Sequence, residues 1–307
     1  MAGATGYIGG GVAHSLHSAG ISVRALTRDA GRFTPACSTD EVFVGEATQR
    51  DSLRGACDGI DAVFSSIGIR AFDRKPSLWD VDYQANINLL EEAQRAGVRH
   101  FIFVSVIHGA LMARTSPVAK ARENVARAII DSGIPYTIYR PTGFFNDMAE
   151  FLDAADNRGF VRLLGTGEGL INPLSAIDMG HEVARAILSP SSLCTERTVG
   201  GPETFTHRQI AEMAFRILDK PAKIRRVPRL VLRTAASMIK PLHTNAHAFA
   251  TFFDFIAATP SMCGDPIGRI RLESFFRLCA TGMSLRDAER SLDGEFGTHG
   301  DGELPAP

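Results

Sequence analysis

The chain has 307 residues, 45% hydrophobic and 22% charged, the ordinary balance of a globular protein built as one large α/β domain, with or without a small appended lobe. A net charge of −1 leaves no basic surplus for nucleic acid or an anionic membrane, and no stretch is long and apolar enough to span a bilayer. Five scattered cysteines (Cys37, Cys57, Cys194, Cys263, Cys279) without a C-x-x-C pair read as reduced, buried thiols of a reducing compartment, either cytoplasm or an organelle stroma or matrix.

Gly3, Gly6 and Gly9 form a G-x-x-G-x-x-G turn that opens a helix over residues 10–19. Glycine suits such a turn because the backbone bends sharply and must approach a diphosphate closely, while the helix N-terminus offers free N–H groups and a positive dipole. A strand over 21–26 follows, ending close to the distance at which dinucleotide sites carry their ribose-reading residue. Asp or Glu there would favour NAD; this chain has Thr27 and Arg28, with Arg32 nearby, and a guanidinium suits a 2′-phosphate. The spacing therefore predicts NADP(H) over NAD(H), with a solvated surface arginine as the alternative.

The turn ought to follow the central strand of a sheet, yet only Met1 and Ala2 precede Gly3. Each apolar side chain of such a strand would remove about 1.5–3 kcal/mol of surface from water, so its loss would rival the stability of a whole domain. The expectation is a natural chain that starts further upstream or a truncated product, unless another segment fills the slot.

Further along, Glu41–Val44, 62–67, 101–106 and 136–139 are short and rich in β-branched or aromatic residues, and helical spacing marks 78–96 and 118–131. In 78–96, Val81, Ala85, Leu89 and Ala93 share one face, with Asp82, Glu91, Glu92 and Arg95 elsewhere on the helix surface. Strands alternating with helices specify a parallel sheet covered on both faces, a Rossmann-type doubly wound α/β fold. Residues 1–141 read as this core, 142–290 as a smaller α/β and helical lobe, and 291–307, rich in Gly, Pro, Asp and Glu, as a disordered tail. Within the lobe, helices are expected over 144–156, from near Asp178, from near Thr206, and over 228–240 and 246–258. Gly165-Thr-Gly167-Glu-Gly169 precedes Leu-Ile-Asn-Pro rather than a helix, so it reads as a turn between strands. His181 and His207 lack partners at ligand spacing, and no metal site is expected. Phe249, Phe252, Phe253 and Phe255 give the last pair of helices unusual aromatic density. Core packing explains it most simply; covering a substrate crevice, docking a protein partner or peripheral contact with a membrane are the alternatives.

The glycine turn, the strand Val23-Arg-Ala-Leu-Thr-Arg28, the block from Val81-Asp-Tyr-Gln-Ala-Asn86 to Phe-Ile-Phe-Val-Ser105, and Ser132-Gly-Ile-Pro-Tyr-Thr-Ile-Tyr-Arg-Pro141-Thr-Gly-Phe-Phe together resemble the atypical short-chain dehydrogenase/reductases. Within them the chain is most similar to the NmrA-like and divinyl-reductase-like branch, which includes photosystem assembly factors and a complex I accessory subunit. The resemblance covers roughly residues 1–230. It implies that Gly3, Thr5, Gly6, Tyr7, Ile8 and Gly9 hold the diphosphate and Arg28 the 2′-phosphate. By the same resemblance Ser65, Ser66 and Gly68 line the adenosine side, Pro141 and Phe144 sit beside the nicotinamide, and Asn86 is buried on the crossover helix, either as a structural hydrogen-bonder or as a functional residue.

Catalytic members of that superfamily carry Tyr-x-x-x-Lys, in which the lysine lowers the tyrosine pKa so that the phenol can donate a proton. The family spacing puts this pair at Val118 and Arg122, neither of which can do that work. A shift of two residues offers Ser116 and Lys120, with Lys120 able to hold the ribose or a substrate oxygen. Ser105 could orient substrate and His108 could act as an acid; a buried hydroxyl and a loop histidine are the plain alternatives. Two functions stay open: an NADP(H)-dependent reductase of a small apolar or aromatic substrate, and a non-catalytic NAD(P)H-binding redox sensor or assembly scaffold. A nucleotide-sugar epimerase is disfavoured because it needs the tyrosine.

Overall fold

The structure is a computed structural model that describes residues 1–32, 38–69 and 75–297. The first half comprises α1 (Tyr7–Ser18), β1 (Arg24–Thr27), β2 (Glu41–Val44), β3 (Ala62–Ser65), α2 (Ala85–Ala96), β4 (His100–Val104), α3 (Gly109–Met112), α4 (Pro117–Asp131) and β5 (Tyr136–Pro141). Next come α5 (Phe145–Asp153), β6 (Val161–Leu164), β7 (Leu170–Ile171), α6 (Ala176–Leu188), β8 (Thr195–Gly200), β9 (Phe205–Thr206) and α7 (His207–Ile217). The last stretch holds β10 (Ile224–Val227), α8 (Arg229–Ile239), α9 (Thr244–Ala258), β11 (Ser261–Met262), β12 (Asp265–Pro266), α10 (Leu272–Ala280) and α11 (Leu285–Gly297).

Strands β12-β8-β5-β4-β3 form a parallel sheet in that order, and β1 pairs with β2, also in parallel. Between β3 and β1 lies the opening dipeptide. Ala2 bridges both Leu26 and Ser65, its N–H donating to the Phe64 carbonyl at 2.8 Å, while the Leu26 N–H donates to the Met1 carbonyl at 2.8 Å. Two residues thus carry the sheet from β3 to β1.

Alternation along β4 explains the two-sided covering, because successive side chains leave opposite faces of a strand. Phe101 and Phe103 join Leu89 and Ala93 of α2 and Val125 and Ile129 of α4. Ile102 and Val104 join Val12 and Leu16 of α1 and Met179 and Val183 of α6. A third cluster unites α5, α7 and α10 through Phe145, Met148, Ile210, Phe215, Phe275 and Phe276. The fold is α/β and Rossmann-type, as the alternating pattern implies.

The boundary at 141 divides the chain but not the sheet, since β8 and β12 extend it and α6 covers one face. The stretch from 291, read as a tail, begins instead as the last seven residues of α11 and is anchored by Leu292 in the core; residues 298–307 lie outside the described ones. The helix predicted over 78–96 opens as a π-helical segment, Trp79–Gln84, and Asp82 in it is buried rather than on the surface. The glycine-rich 165–169 does form a turn, leading from β6 to β7. Cys57 is buried as expected, whereas Cys194 is exposed.

Candidate functional site

The glycine turn begins one residue after Ala2 and so lies at the carboxyl tips of β1 and β3. Gly3 has φ +90°, and a Cβ there would stand 2.6 Å from the Ser66 Oγ at the end of β3. The Gly6 N–H closes the turn on the Gly3 carbonyl at 2.9 Å, and α1 starts at Tyr7 with no side-chain cap and no acidic residue in its first turn. Consequently the N–H groups of Tyr7, Ile8 and Gly9 find no acceptor among the described residues, and the positive end of the helix dipole is uncompensated. This arrangement suits an anionic diphosphate.

Helix α11 braces the same turn. Arg286 donates from Nη2 to the carbonyls of Thr5 at 2.6 Å and Gly6 at 2.9 Å. The Tyr7 hydroxyl donates to Glu289, whose buried carboxylate also accepts from the Ala176 N–H at 3.0 Å. Burial pushes the Glu289 carboxyl up to about 7, against the pull of the Tyr7 hydrogen bond. Burial first, and then the neighbouring Glu289, raise the Tyr7 phenol well above its ordinary value. Arg286 and Glu289 were not legible as site residues in the sequence, because they stand about 280 residues from the turn they touch.

Arg28 follows β1 immediately, is exposed, and has its Nε 3.7 Å from the Glu46 carboxylate. The side chain of Arg32 lies outside the described residues. Ser65 is buried and donates to Asn86 Oδ1 at 2.6 Å, while Asn86 Nδ2 donates to the Asp82 carbonyl at 2.9 Å. Gly68 lies against the Arg122 guanidinium.

Around the tips of β4 and β5 a second group assembles. Arg122 donates to the Val104 carbonyl at 2.8 Å and pairs with Asp82 at 3.1 Å; Asp82 in turn accepts from the Ile69 N–H at 2.8 Å. Burial raises the Asp82 pKa, with Arg122 opposing it. The Ser105 hydroxyl is 3.4 Å from Glu123, which is held by Arg140. Pro141 ends β5, and buried Phe144 precedes α5, where its N–H donates to Asp147 at 3.3 Å.

Val118 packs with Leu78, Ala121 and Ala248, so the two positions matched to the Tyr-x-x-x-Lys pair serve the core and an ion pair. Lys120 is exposed, one turn along α4 from Ser116, whose buried hydroxyl has no partner among the described residues. His108 is exposed in a left-handed conformation, φ 52°, with Nε2 3.1 Å from the Ser261 carbonyl. Neither Lys120 nor His108 forms a side-chain hydrogen bond with the groups above among the described residues. His181, without a partner by sequence spacing, meets Asp293 at 2.9 Å. Among the described residues no group of three His, Cys, Asp or Glu could hold a metal ion.

Residues 3–160 match the model of a family described as NAD(P)H-binding. The chain is 26% identical to the chloroplastic divinyl chlorophyllide a 8-vinyl-reductase of Cucumis sativus, over 92% of this chain and 76% of that protein. It spans 59% to 64% of the length of the Arabidopsis thaliana, Oryza sativa and Zea mays proteins of the same name. It is 30% identical to a (4-alkanoyl-5-oxo-2,5-dihydrofuran-3-yl)methyl phosphate reductase of Streptomyces griseus, over 76% of this chain and 79% of that one. In fold it is similar to the Escherichia coli NADPH-dependent quinone oxidoreductase QOR2 complexed with NADPH, at TM-score 0.67 and 19% identity over 95% of this chain and 98% of that one.

Proposed function

Because the chain belongs to the NAD(P)H-binding family, we propose that it is a reductase that takes hydride from NADPH in preference to NADH and passes it to a small apolar or aromatic acceptor. The observation that carries this reading is the row of unpartnered amides at Tyr7, Ile8 and Gly9, with the Arg28 guanidinium at the tip of the next strand. The relatives' names support a reductive role on an unsaturated acceptor: a vinyl reductase, a reductase of an oxo-dihydrofuran and a quinone oxidoreductase.

A bound reduced nicotinamide supplies the hydride; the chain's own task is to grip, orient and protonate. The turn amides hold the diphosphate, and Arg28 meets the 2′-phosphate by giving up its weak contact with Glu46. Pro141 and Phe144 flank the nicotinamide. Lys120 holds the ribose or a substrate oxygen, Ser105 orients the acceptor, and His108 or solvent delivers the proton that Val118 cannot.

Fluorescence titration with NADPH and NADH tests the cofactor assignment. Arg28→Ala is expected to weaken NADPH at least tenfold and leave NADH nearly unchanged, whereas tighter NADH binding by the wild type would refute the assignment. Turnover of NADPH on a panel of enones and quinones, repeated with Lys120→Ala, tests the chemistry. Tight binding with no turnover on any acceptor would leave a non-catalytic dinucleotide binder in place of the reductase.

A further inference from the structure

The net charge of −1 conceals a strong local asymmetry. From Lys220 to Phe253 there is no Asp or Glu, while Lys220, Lys223, Arg225, Arg226, Arg229, Arg233 and Lys240 all fall in that span. Arg225 and Arg226 lie on β10 and Arg229 and Arg233 on α8, with Lys220 and Lys223 before β10 and Lys240 at the end of α8. Lys220 is neutralised by Asp156 at 2.6 Å, Arg229 by Asp254 at 3.0 Å, and Arg225 lies 4.2 Å over the Phe160 ring. Lys223, Arg226, Arg233 and Lys240 are exposed and have no carboxylate within ion-pair distance among the described residues.

Helix α8 itself is shallowly seated. Only Ala236 is buried; Leu232 and Ile239 are half-buried on the same side. Its outward side carries Leu230 at 72% exposure, Val231 at 57% and Met238 at 72%, continued by Leu242 at 68%. At about 100° per residue, Leu230, Thr234, Met238, Val231 and Ala235 fill one continuous outer arc, and Arg233 and Lys240 lie along its flank. An ordinary surface helix places its charges outward. This one places aliphatic side chains there, bordered by unpaired cations.

We propose that α8 docks the protein peripherally on an anionic lipid bilayer, lying in the plane of the interface. The apolar side chains would enter the headgroup and acyl boundary, while Lys223, Arg226, Arg233 and Lys240 face lipid phosphates. With eleven residues the helix is far too short to span a bilayer. A protein partner fits less well, since such interfaces rely on aromatic anchors set in pockets, and this face is aliphatic.

Sedimentation of the full chain with phosphatidylcholine vesicles, with and without phosphatidylglycerol, tests the proposal. Binding is expected only with the anionic lipid and is lost at high salt. Arg226→Gln with Arg233→Gln should weaken it about fivefold per charge removed. Leu230→Glu with Met238→Glu should abolish it without moving the melting temperature, because both positions are exposed. Equal binding to neutral vesicles, or no binding to either by the folded wild type, would overturn the idea. So would a concentration-dependent dimer in light scattering that the glutamate pair abolishes, since a second copy would then be what covers the face.

Discussion

Gly9 occupies a position where a methyl group has no room: a Cβ there would stand 2.1 Å from the Gly3 carbonyl oxygen and 2.6 Å from its carbon. Both are backbone atoms of the turn, so they cannot swing aside as the end of a long side chain would. Gly9→Ala must therefore pry the turn open, splaying the unpartnered amides of Tyr7, Ile8 and Gly9. We expect at least a tenfold loss of NADPH affinity in titration and a destabilisation of about 1–3 kcal/mol in thermal melts. An alanine variant that binds like wild type would mean that the turn does not grip the diphosphate.

At the scale of elements, α4 acts as a tie between segments. Its Arg122 ties the end of β4 to Asp82 on the π-helical turn, and Asp82 ties the loop after β3 through the Ile69 N–H. Three segments near the strand tips are thereby fixed to one helix. Arg122→Ala leaves a carboxylate with 1% exposure facing an empty pocket, at a cost of about 3–5 kcal/mol that protonation of Asp82 can partly relieve. Urea unfolding should show this loss, and it should shrink at acid pH, where the carboxyl is neutral. Adding Asp82→Asn to Arg122→Ala should recover part of it, because the uncompensated charge is gone. Additive losses in the double variant would show that the two side chains act separately.

Across the whole molecule, α11 joins the turn to the start of α6. Glu289 accepts from Tyr7 in α1 and from the Ala176 N–H at the start of α6. Its carboxyl keeps its proton up to about pH 7 in the folded chain, against an ordinary value of 4.5. Between those values only the unfolded chain releases the proton, so the contribution of this group is complete below about pH 4.5 and is lost as pH rises through 7. Other groups titrate in the same range, Asp178 up to about 6 and His100 down to about 4, so the effect is read as a difference. Relative to wild type, Glu289→Gln should gain about 3 kcal/mol between pH 4.5 and pH 8 in paired denaturation curves. A pH-independent difference would mean that Glu289 is ionised throughout.

The amino-acid sequence by itself determined the doubly wound fold and the glycine turn, because both depend on short-range rules. Short runs rich in β-branched and aromatic residues made the strands readable, period-3.6 apolar spacing the helices, and local glycines followed by a helix marked the turn. It also exposed the absence of a tyrosine-lysine pair, through Val118 and Arg122. Only the tertiary structure decided what stands around that turn. Arg286 and Glu289 reach it from the other end of the chain, Asp82 is drawn off the helix surface by Arg122, and α8 is left with its aliphatic side outward. Contacts between residues far apart in sequence leave no periodicity to read, and a basic segment within a neutral chain disappears in the sum of charges.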